Sequence, residues 1–102
     1  MRRYTVQMDV EALDQLEDIY RYIEESSGSS TVAERYTAAV VRTCETLANF
    51  PHRCIKRDDL YPGLRVTNHR GQTIIAYTIN ENAEIVTIVG FFHGGQDYES
   101  KL

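Results

Sequence analysis

The spacing of the apolar residues changes at Pro51, and this change restricts the possible folds more than any other feature of the sequence. Before Pro51, apolar side chains recur at steps of three and four residues, which is the period of an amphipathic helix. After Pro51, they alternate in short runs between turn residues, which is the period of a strand. The sequence therefore predicts helices in its first half and a sheet in its second half.

The first half also predicts a short strand and a helical hairpin. Residues 4–8 alternate and are rich in strand formers, and Asp9 is the predicted N-cap of the first helix. Residues 26–30 form a turn rich in serine, after which Thr31 and Glu34 have the spacing of a capping box. Because the link is short, we expect the two helices to pack as antiparallel neighbours.

The second half predicts three strands, over residues 64–69, 73–79 and 84–92. The turns between them are short, so neighbouring strands should pair in an antiparallel meander. The expected fold class is therefore α+β, in the order β-α-α-β-β-β, with the helical hairpin on one face of the sheet. The length is that of one ordinary domain, so we expect residues 1–102 to form a single domain.

The charges are divided along the chain. The net charge of −4 argues against a general phosphate-binding surface. Residues 9–25 carry seven acids against the single base Arg21, which predicts an acidic outer surface on the first helix. Residues 52–70 carry five bases against Asp58 and Asp59, which predicts a local positive patch in the centre of the chain.

The expected compartment is the cytosol. The sequence has no apolar stretch that could span a bilayer and no apolar run behind its first two arginines. In the cytosol Cys44 and Cys54 should be reduced thiols. His52 and Cys54 could supply two metal ligands, but a closed site needs four, so we expect neither a metal nor another cofactor.

The second half carries motifs that resemble a known family. Residues 51–65 contain Arg57-Asp-Asp-Leu-Tyr-Pro-Gly-Leu-Arg65, Tyr77 lies in the middle strand, and His93-Gly-Gly-Gln-Asp97 follows the last strand. In this order they resemble the motifs of ParE-type toxins of the RelE/ParE superfamily, and the likeness covers nearly the whole chain. The resemblance implies a toxin of a bacterial type II toxin–antitoxin system, held inactive in a hetero-oligomeric complex by a ParD-like antitoxin.

The superfamily contains two kinds of toxin, and the fold alone does not decide between them. ParE members are described as inhibitors of DNA gyrase, whereas RelE members cleave mRNA in the ribosome with several lysines and arginines. One of these arginines ends the last strand, where residues 89–93 here carry apolar side chains before the histidine. The resemblance therefore favours a protein-binding gyrase inhibitor without catalytic residues of its own.

Two alternatives stay open. The first is a ribosome-dependent endoribonuclease of the RelE branch, which would act through basic and aromatic side chains of the second half. That set is Arg53, Lys56, Arg57, Arg65, His93 and Tyr98. The second alternative is a degenerate member that only binds its antitoxin.

Candidate contacts with the target are cationic and aromatic side chains of the second half. They are Arg57, Arg65, Arg70, His93 and Tyr98. His93 could instead cap the turn at Gly94 and Gly95 by bonding to its backbone. Arg57 could instead pair with a neighbouring acid, as exposed arginines commonly do.

Candidate contacts with the antitoxin are apolar side chains of the two helices. Most side chains of these two stripes should pack in the core. Any that stay exposed between the helices would form a groove for an antitoxin helix. The candidates are Leu13, Leu16, Tyr20, Tyr36 and Val40. If Leu16 is core instead, its replacement by alanine should lower the free energy of unfolding by about 2–5 kcal/mol.

Overall fold

The computed structural model of the protein describes residues 3–95 and 98–101. Within these ranges it confirms the predicted α+β order of a strand, two helices and antiparallel strands. None of the described helices is both long enough and apolar enough to cross a membrane. The elements are β1 (Thr5–Met8), α1 (Val10–Ser27), α2 (Ser30–Glu45), β2 (Ile55–Lys56), β3 (Arg65–His69), β4 (Thr73–Asn80), β5 (Ile85–His93) and α3 (Tyr98–Lys101), with 3-10 turns at Thr46–Ala48 and Pro51–Arg53.

The five strands form one sheet in the order β1-β5-β4-β3-β2. The strands β3, β4 and β5 form the predicted antiparallel meander, and β1 pairs with the outer side of β5 in parallel. The sequence does not predict β2, whose Ile55 and Lys56 pair with Val66 and Arg65 of β3. Two residues are too few to show the period of a strand, so only the pairing reveals this element.

Side chains cap the N-termini of both long helices. The prediction for Asp9 is confirmed, since its Oδ1 accepts from the Ala12 N–H at 2.9 Å. The cap of α2 is Ser29, whose hydroxyl oxygen accepts from the Val32 N–H at 3.2 Å, and the capping box predicted to open at Thr31 is wrong. The second helix therefore begins earlier than the sequence predicts.

The turn between the helices is shorter than the predicted span of residues 26–30. Ser26 and Ser27 form the end of α1, where their hydroxyls donate to the carbonyl oxygens of Tyr22 and Ile23 one turn earlier. Gly28 then ends α1 with φ at +70°, a left-handed conformation that glycine adopts without strain. Because this turn is so short, the two helices pack side by side as an antiparallel hairpin.

The helices cover one face of the sheet and form the main core with it. Tyr77 of the middle strand belongs to this core, since its side chain is fully buried and its hydroxyl donates to the Pro51 carbonyl oxygen at 2.6 Å. Burial also raises the pKa of the Cys44 thiol to about 12. The core comprises Tyr4, Ala12, Ile19, Val40, Cys44, Leu47, Ile75, Tyr77, Val86, Ile88 and Phe91.

A smaller core lies on the opposite face of the sheet. It contains Leu64, Val66, Ala76 and Phe92, with Tyr98 of α3 packed against it. The ring centroids of Phe92 and Tyr98 lie 6.1 Å apart. This face is therefore covered by the last helix and not by the helical hairpin.

A β-bulge in β5 decides which side chains face the helices. Tyr77 pairs with Ile88 and Ala76 pairs with Gly90, so Val89 is the extra residue. Because side chains alternate along a strand, one extra residue moves every later side chain of β5 to the other face.

After the bulge, Phe91 and His93 face the helices and Phe92 faces the opposite core. Gln15 of α1 stabilises this arrangement, because its Oε1 accepts from the Phe91 N–H at 2.9 Å. Glycine is required at position 90, since a Cβ on Gly90 would lie 2.9 Å from Cε2 of Phe92. The bulge is thus fixed from both faces of the sheet.

The expectation that Leu16 is a core residue needs revision. Leu16 is half-buried at the edge of the core, so Leu16→Ala should lower the free energy of unfolding by about 1–2 kcal/mol, less than a fully buried leucine would. Equilibrium urea unfolding of both proteins measures the difference. A loss above about 3 kcal/mol would show that Leu16 is core after all.

Candidate functional site

A groove runs between α1 and α2 on the side of the hairpin away from the sheet. We call this surface the hairpin groove; its volume is about 410 Å³. Its lining combines apolar side chains with two acids and one threonine. The lining residues are Leu13, Leu16, Glu17, Tyr20, Glu34, Thr37, Ala38 and Val41.

The hairpin groove contains three of the predicted antitoxin contacts, namely Leu13, Leu16 and Tyr20. The other two lie elsewhere. Val40 is fully buried in the core, so its side chain is not exposed on the surface of this fold. Tyr36 packs at the end of the sheet, against two histidine rings.

The sequence misses the two apolar residues that α2 contributes to the hairpin groove, Ala38 and Val41. Val40 and Val41 differ by about 100° around the helix, so a shift of one position separates a core residue from a groove residue. The apolar character of Val41 could have indicated it, whereas Ala38 gives no sequence signal because alanine is common on any helix face.

The hydroxyl of Tyr20 lies in an acidic part of the hairpin groove. Partial burial raises the pKa of Tyr20, and the carboxylates of Glu24 and Glu34 raise it further. Negative charge from both helices therefore acts on the same point of the groove.

Arg57 and Tyr98 come together on the opposite face of the sheet, as part of an ion-pair cluster. The guanidinium of Arg57 donates to both carboxylate oxygens of Asp59, at 3.0 and 2.9 Å, and to the Tyr98 hydroxyl at 2.7 Å. It also lies 3.4 Å from a carboxylate oxygen of Glu99. These two acids raise the pKa of Arg57, and Arg57 in turn lowers the pKa of Asp59.

This geometry gives Arg57 a structural role. Its side chain is 20% exposed, and its donors hold α3 against the sheet through Tyr98 and Glu99. The alternative in which Arg57 pairs with a neighbouring acid is therefore confirmed for Asp59. A target surface would have to displace these contacts to reach the guanidinium.

The other two candidate arginines lie at different places. The Nη1 atom of Arg65 donates to the carbonyl oxygens of His52 and Cys54, both at 3.0 Å, and so ties β3 to the segment before β2. Arg70 is exposed in the turn between β3 and β4, where its φ is +55°. Of the three arginines, Arg70 is thus the one whose side chain is presented to solvent.

His93 belongs to a polar cluster on the helix face of the sheet. Its Nδ1 lies 2.7 Å from Oγ1 of Thr73, which is also hydrogen-bonded to the Tyr36 hydroxyl at 2.5 Å. Its ring packs edge-on against Tyr22 and Tyr36. The sequence leaves open that His93 caps the turn at Gly94 and Gly95. In that turn the Gly94 N–H donates to the Gln72 carbonyl oxygen.

His69 is a member of the same cluster that sequence reasoning misses. The strand register places His69 opposite Thr73 and Thr73 opposite His93, so the three side chains form a row across β3, β4 and β5. The Nδ1 of His69 lies 2.8 Å from Oγ1 of Thr43. Only the register of three strands brings these residues together, and the sequence does not contain it.

The five candidate target contacts therefore do not form one site. Phe92 faces Tyr98 on one side of the sheet, and its neighbour His93 faces Tyr36 on the other. The Arg57 cluster and the histidine cluster are separated by the sheet itself. The last two residues of the motif at positions 93–97, Gln96 and Asp97, lie outside the described residues.

The histidine cluster predicts a pH-dependent stability. Burial lowers the pKa of both His69 and His93, and Arg70 and Arg42 lower the pKa of His69 further. In the unfolded chain both rings should take up protons near pH 6.5. Stability should therefore be complete above that pH, and the free energy of unfolding should fall as the pH drops from about 7 to about 5.

Urea unfolding at a series of pH values measures this dependence. The matched control is the double variant His69→Asn and His93→Asn, because an asparagine side chain can replace a hydrogen bond at Nδ1 but does not titrate. Its stability should change less over this range than that of the wild type. A wild-type stability that stays constant from pH 7 to pH 5 would contradict the argument.

Two kinds of comparison, with sequence models of families and with solved structures, relate the chain to known proteins. The sequence model of the ParE toxin of the type II toxin–antitoxin system parDE matches residues 6–98. A comparison with curated proteins gives no match. Because the matched segment covers most of the chain, this model defines the family.

Two solved structures have the same fold. A chain of the chromosomal ParDE toxin–antitoxin system from Pseudomonas aeruginosa superposes with a TM-score of 0.75 at 16% identity, over 89% of this chain and 96% of that chain. A chain of the toxin–antitoxin complex RelBE2 from Mycobacterium tuberculosis gives a TM-score of 0.69 at 22% identity, over 94% of this chain and 97% of that chain. The fold is therefore that of the RelE/ParE toxins, and by the match over residues 6–98 the chain belongs to the ParE toxin family of type II toxin–antitoxin systems.

Proposed function

We propose that this ParE-family toxin inhibits DNA gyrase by binding it, and that a ParD-like antitoxin neutralises it by occupying the hairpin groove. The observation that carries the proposal is that two of the candidate cations are engaged in contacts within the fold. Arg57 is paired with Asp59 and Glu99, and Arg65 is bound to backbone carbonyl oxygens. These side chains hold the fold together and are not presented to a scissile phosphate.

RNA cleavage by attack of the 2′-hydroxyl needs a base, an acid and cations around one phosphate. The candidate base or acid His93 lies on the helix face, and the candidate cation Arg57 lies on the other. Near the end of β5, Phe91 and Phe92 are buried in the two separate cores. A toxin that works by protein binding requires no such assembly.

The hairpin groove supports the antitoxin half of the proposal. Leu13 is about half exposed although it is apolar, and it lies beside the half-buried Leu16 and Tyr20. An apolar groove between two helices is the surface into which an amphipathic helix packs. We therefore place the antitoxin helix there, in a hetero-oligomeric complex formed in the cytosol, where gyrase acts.

A supercoiling assay with purified gyrase tests this proposal. We expect the toxin to inhibit supercoiling of relaxed plasmid in a dose-dependent way, and equimolar antitoxin to restore it. The control is the same assay with topoisomerase I, whose relaxation of DNA should not change. Supercoiling that continues at a hundredfold excess of toxin would refute gyrase as the target.

One observation favours a second function, the ribosome-dependent endoribonuclease. The Tyr98 hydroxyl lies 2.7 Å from Nη1 of Arg57, and a tyrosine beside a guanidinium could donate a proton to a leaving oxygen. Toeprinting on translating ribosomes tests it. Codon-positioned cuts that disappear in Tyr98→Phe and Arg65→Ala would establish this function, and their absence from the wild type would refute it.

A further inference from the structure

The apolar floor of the hairpin groove extends beyond its central lining. Val10 is 75% exposed and Leu13 is 51% exposed, and both lie on the same side of α1 as Tyr20. From Val10 to Glu24 the helix rises by about 21 Å, which is about four turns. The floor is therefore long enough for a helix of about four turns to lie along it.

Acidic side chains flank this floor on both helices. On α1, Glu17 follows Leu13 by four residues and Glu24 follows Glu17 by seven, which keeps both acids on the same side of the helix as Leu13. On α2, Glu34 and Glu45 stand at the same spacing on either side of Ala38 and Val41. Both charged side chains that line the groove among the described residues, Glu17 and Glu34, are acids.

The basic side chains of the hairpin do not balance these acids. Arg35 and Arg42 of α2 each follow a groove residue by one position, so they point about 100° away from it. Arg21 of α1 lies 2.6 Å from Glu17 and 3.7 Å from Asp18, and it offsets part of their charge. Burial raises the pKa of Tyr20, and the carboxylates of Glu24 on α1 and Glu34 on α2 raise it further.

We infer that the occupant of the hairpin groove is a basic amphipathic helix of the antitoxin, with an apolar stripe facing the floor and lysines or arginines along both flanks. This inference rests on the proposed docking of the antitoxin in the groove, and it adds the chemistry of the docked segment. Complementary charge fixes the register of a helix in a groove and speeds its association.

Charge excludes the competing occupants. A second copy of this chain would bring its own acidic α1 against the acidic flanks, which like-charge repulsion opposes. A nucleic acid would meet carboxylates where its phosphates need cations. An amphipathic helix with glutamates on its flanks would fit the floor but would be repelled by Glu17 and Glu34.

Two synthetic helices of about four turns test the inference with the intact toxin. They share one leucine stripe and differ only in their flanks, which are all lysine in one and all glutamate in the other. Fluorescence anisotropy should show that the lysine helix binds at least about tenfold more tightly, because several exposed ion pairs each add a small factor. This preference should weaken as the salt concentration rises.

Charge reversal in the toxin locates the effect. The double variant Glu17→Lys and Glu34→Lys should lose the preference for the lysine helix. The matched control is Asp14→Lys and Glu25→Lys, which changes the net charge equally at exposed positions of α1 that do not line the groove. This control should keep most of the preference. Thermal unfolding of both variants verifies that they are folded.

The outcomes separate this inference from the proposed function. Equal binding of the two helices, binding of neither, or an unchanged preference in the groove variant would overturn the inference. The docking of the antitoxin itself is tested with the full antitoxin against Leu13→Asp, and inhibition of gyrase is tested without any antitoxin. The inference can therefore fail while the docking and the inhibition of gyrase stand, and the inhibition of gyrase can fail without affecting the other two.

Discussion

Replacing Phe91 by alanine should lower the free energy of unfolding by about 3–5 kcal/mol. Phe91 is 1% exposed in the main core, directly after the bulge in β5. The cost combines the lost transfer of the ring from water with the cavity that remains, because a sheet covered by two helices cannot collapse into it. A small domain has a total stability of about 5–15 kcal/mol, so the variant should be close to unfolding.

Urea unfolding measures this loss, and Phe50→Ala is the matched control. Phe50 lies before Pro51 with 55% of its surface exposed, so the same change there should cost less than about 1 kcal/mol. A Phe91 variant as stable as the Phe50 variant would mean that β5 continues without the bulge and that Phe91 faces another way.

Replacing Leu13 by aspartate should weaken the binding of the antitoxin by about 100-fold, which is about 2.7 kcal/mol. Leu13 lies in the floor of the hairpin groove beside Glu17, so the variant places a charge against an apolar helix face and next to another carboxylate. The fold should be unaffected, because Leu13 is half exposed in the free toxin.

Isothermal titration of the toxin with its ParD-like antitoxin measures this effect. Val32→Asp is the control, since Val32 is exposed to a similar extent but lies outside the hairpin groove, near Tyr36. Its affinity should stay within about threefold of the wild type. If both variants bind equally well, the antitoxin docks elsewhere on the toxin.

The order of the elements follows from the sequence because it depends on local chemistry. Asp9 caps α1 as predicted, since an N-cap and its partner N–H lie within one turn of each other. The predicted capping box at Thr31 is wrong, because the nearby Ser29 is the N-cap of α2 instead. Local signals thus locate the helix to within a few residues and not to the exact cap.

The faces of the elements depend on contacts that no local pattern contains. The bulge at Val89 turns Phe91 and His93 toward the helices, and Gln15 of α1 stabilises it from a distant part of the chain. For this reason the sequence predicts His93 as a possible partner of the cations, whereas the structure places it with His69.

The hairpin groove could be predicted in part. Leu13, Leu16 and Tyr20 are identified because a stripe too wide for the core must leave one edge exposed. Val40 is predicted from the same stripe but lies in the core, because the sequence does not give the rotation of α2 about its axis. Glu17 and Glu34 are recognised as acids of one groove only when the two helices are placed side by side.

The most direct test of the central claim divides one sample of purified toxin between two targets. One half is titrated into gyrase with relaxed plasmid, and the other into translating ribosomes with a defined message. We predict inhibition of supercoiling that the antitoxin reverses, and an intact message at every concentration that inhibits gyrase. Codon-positioned cleavage of the message together with unaffected supercoiling would contradict the proposal that this toxin acts by binding gyrase.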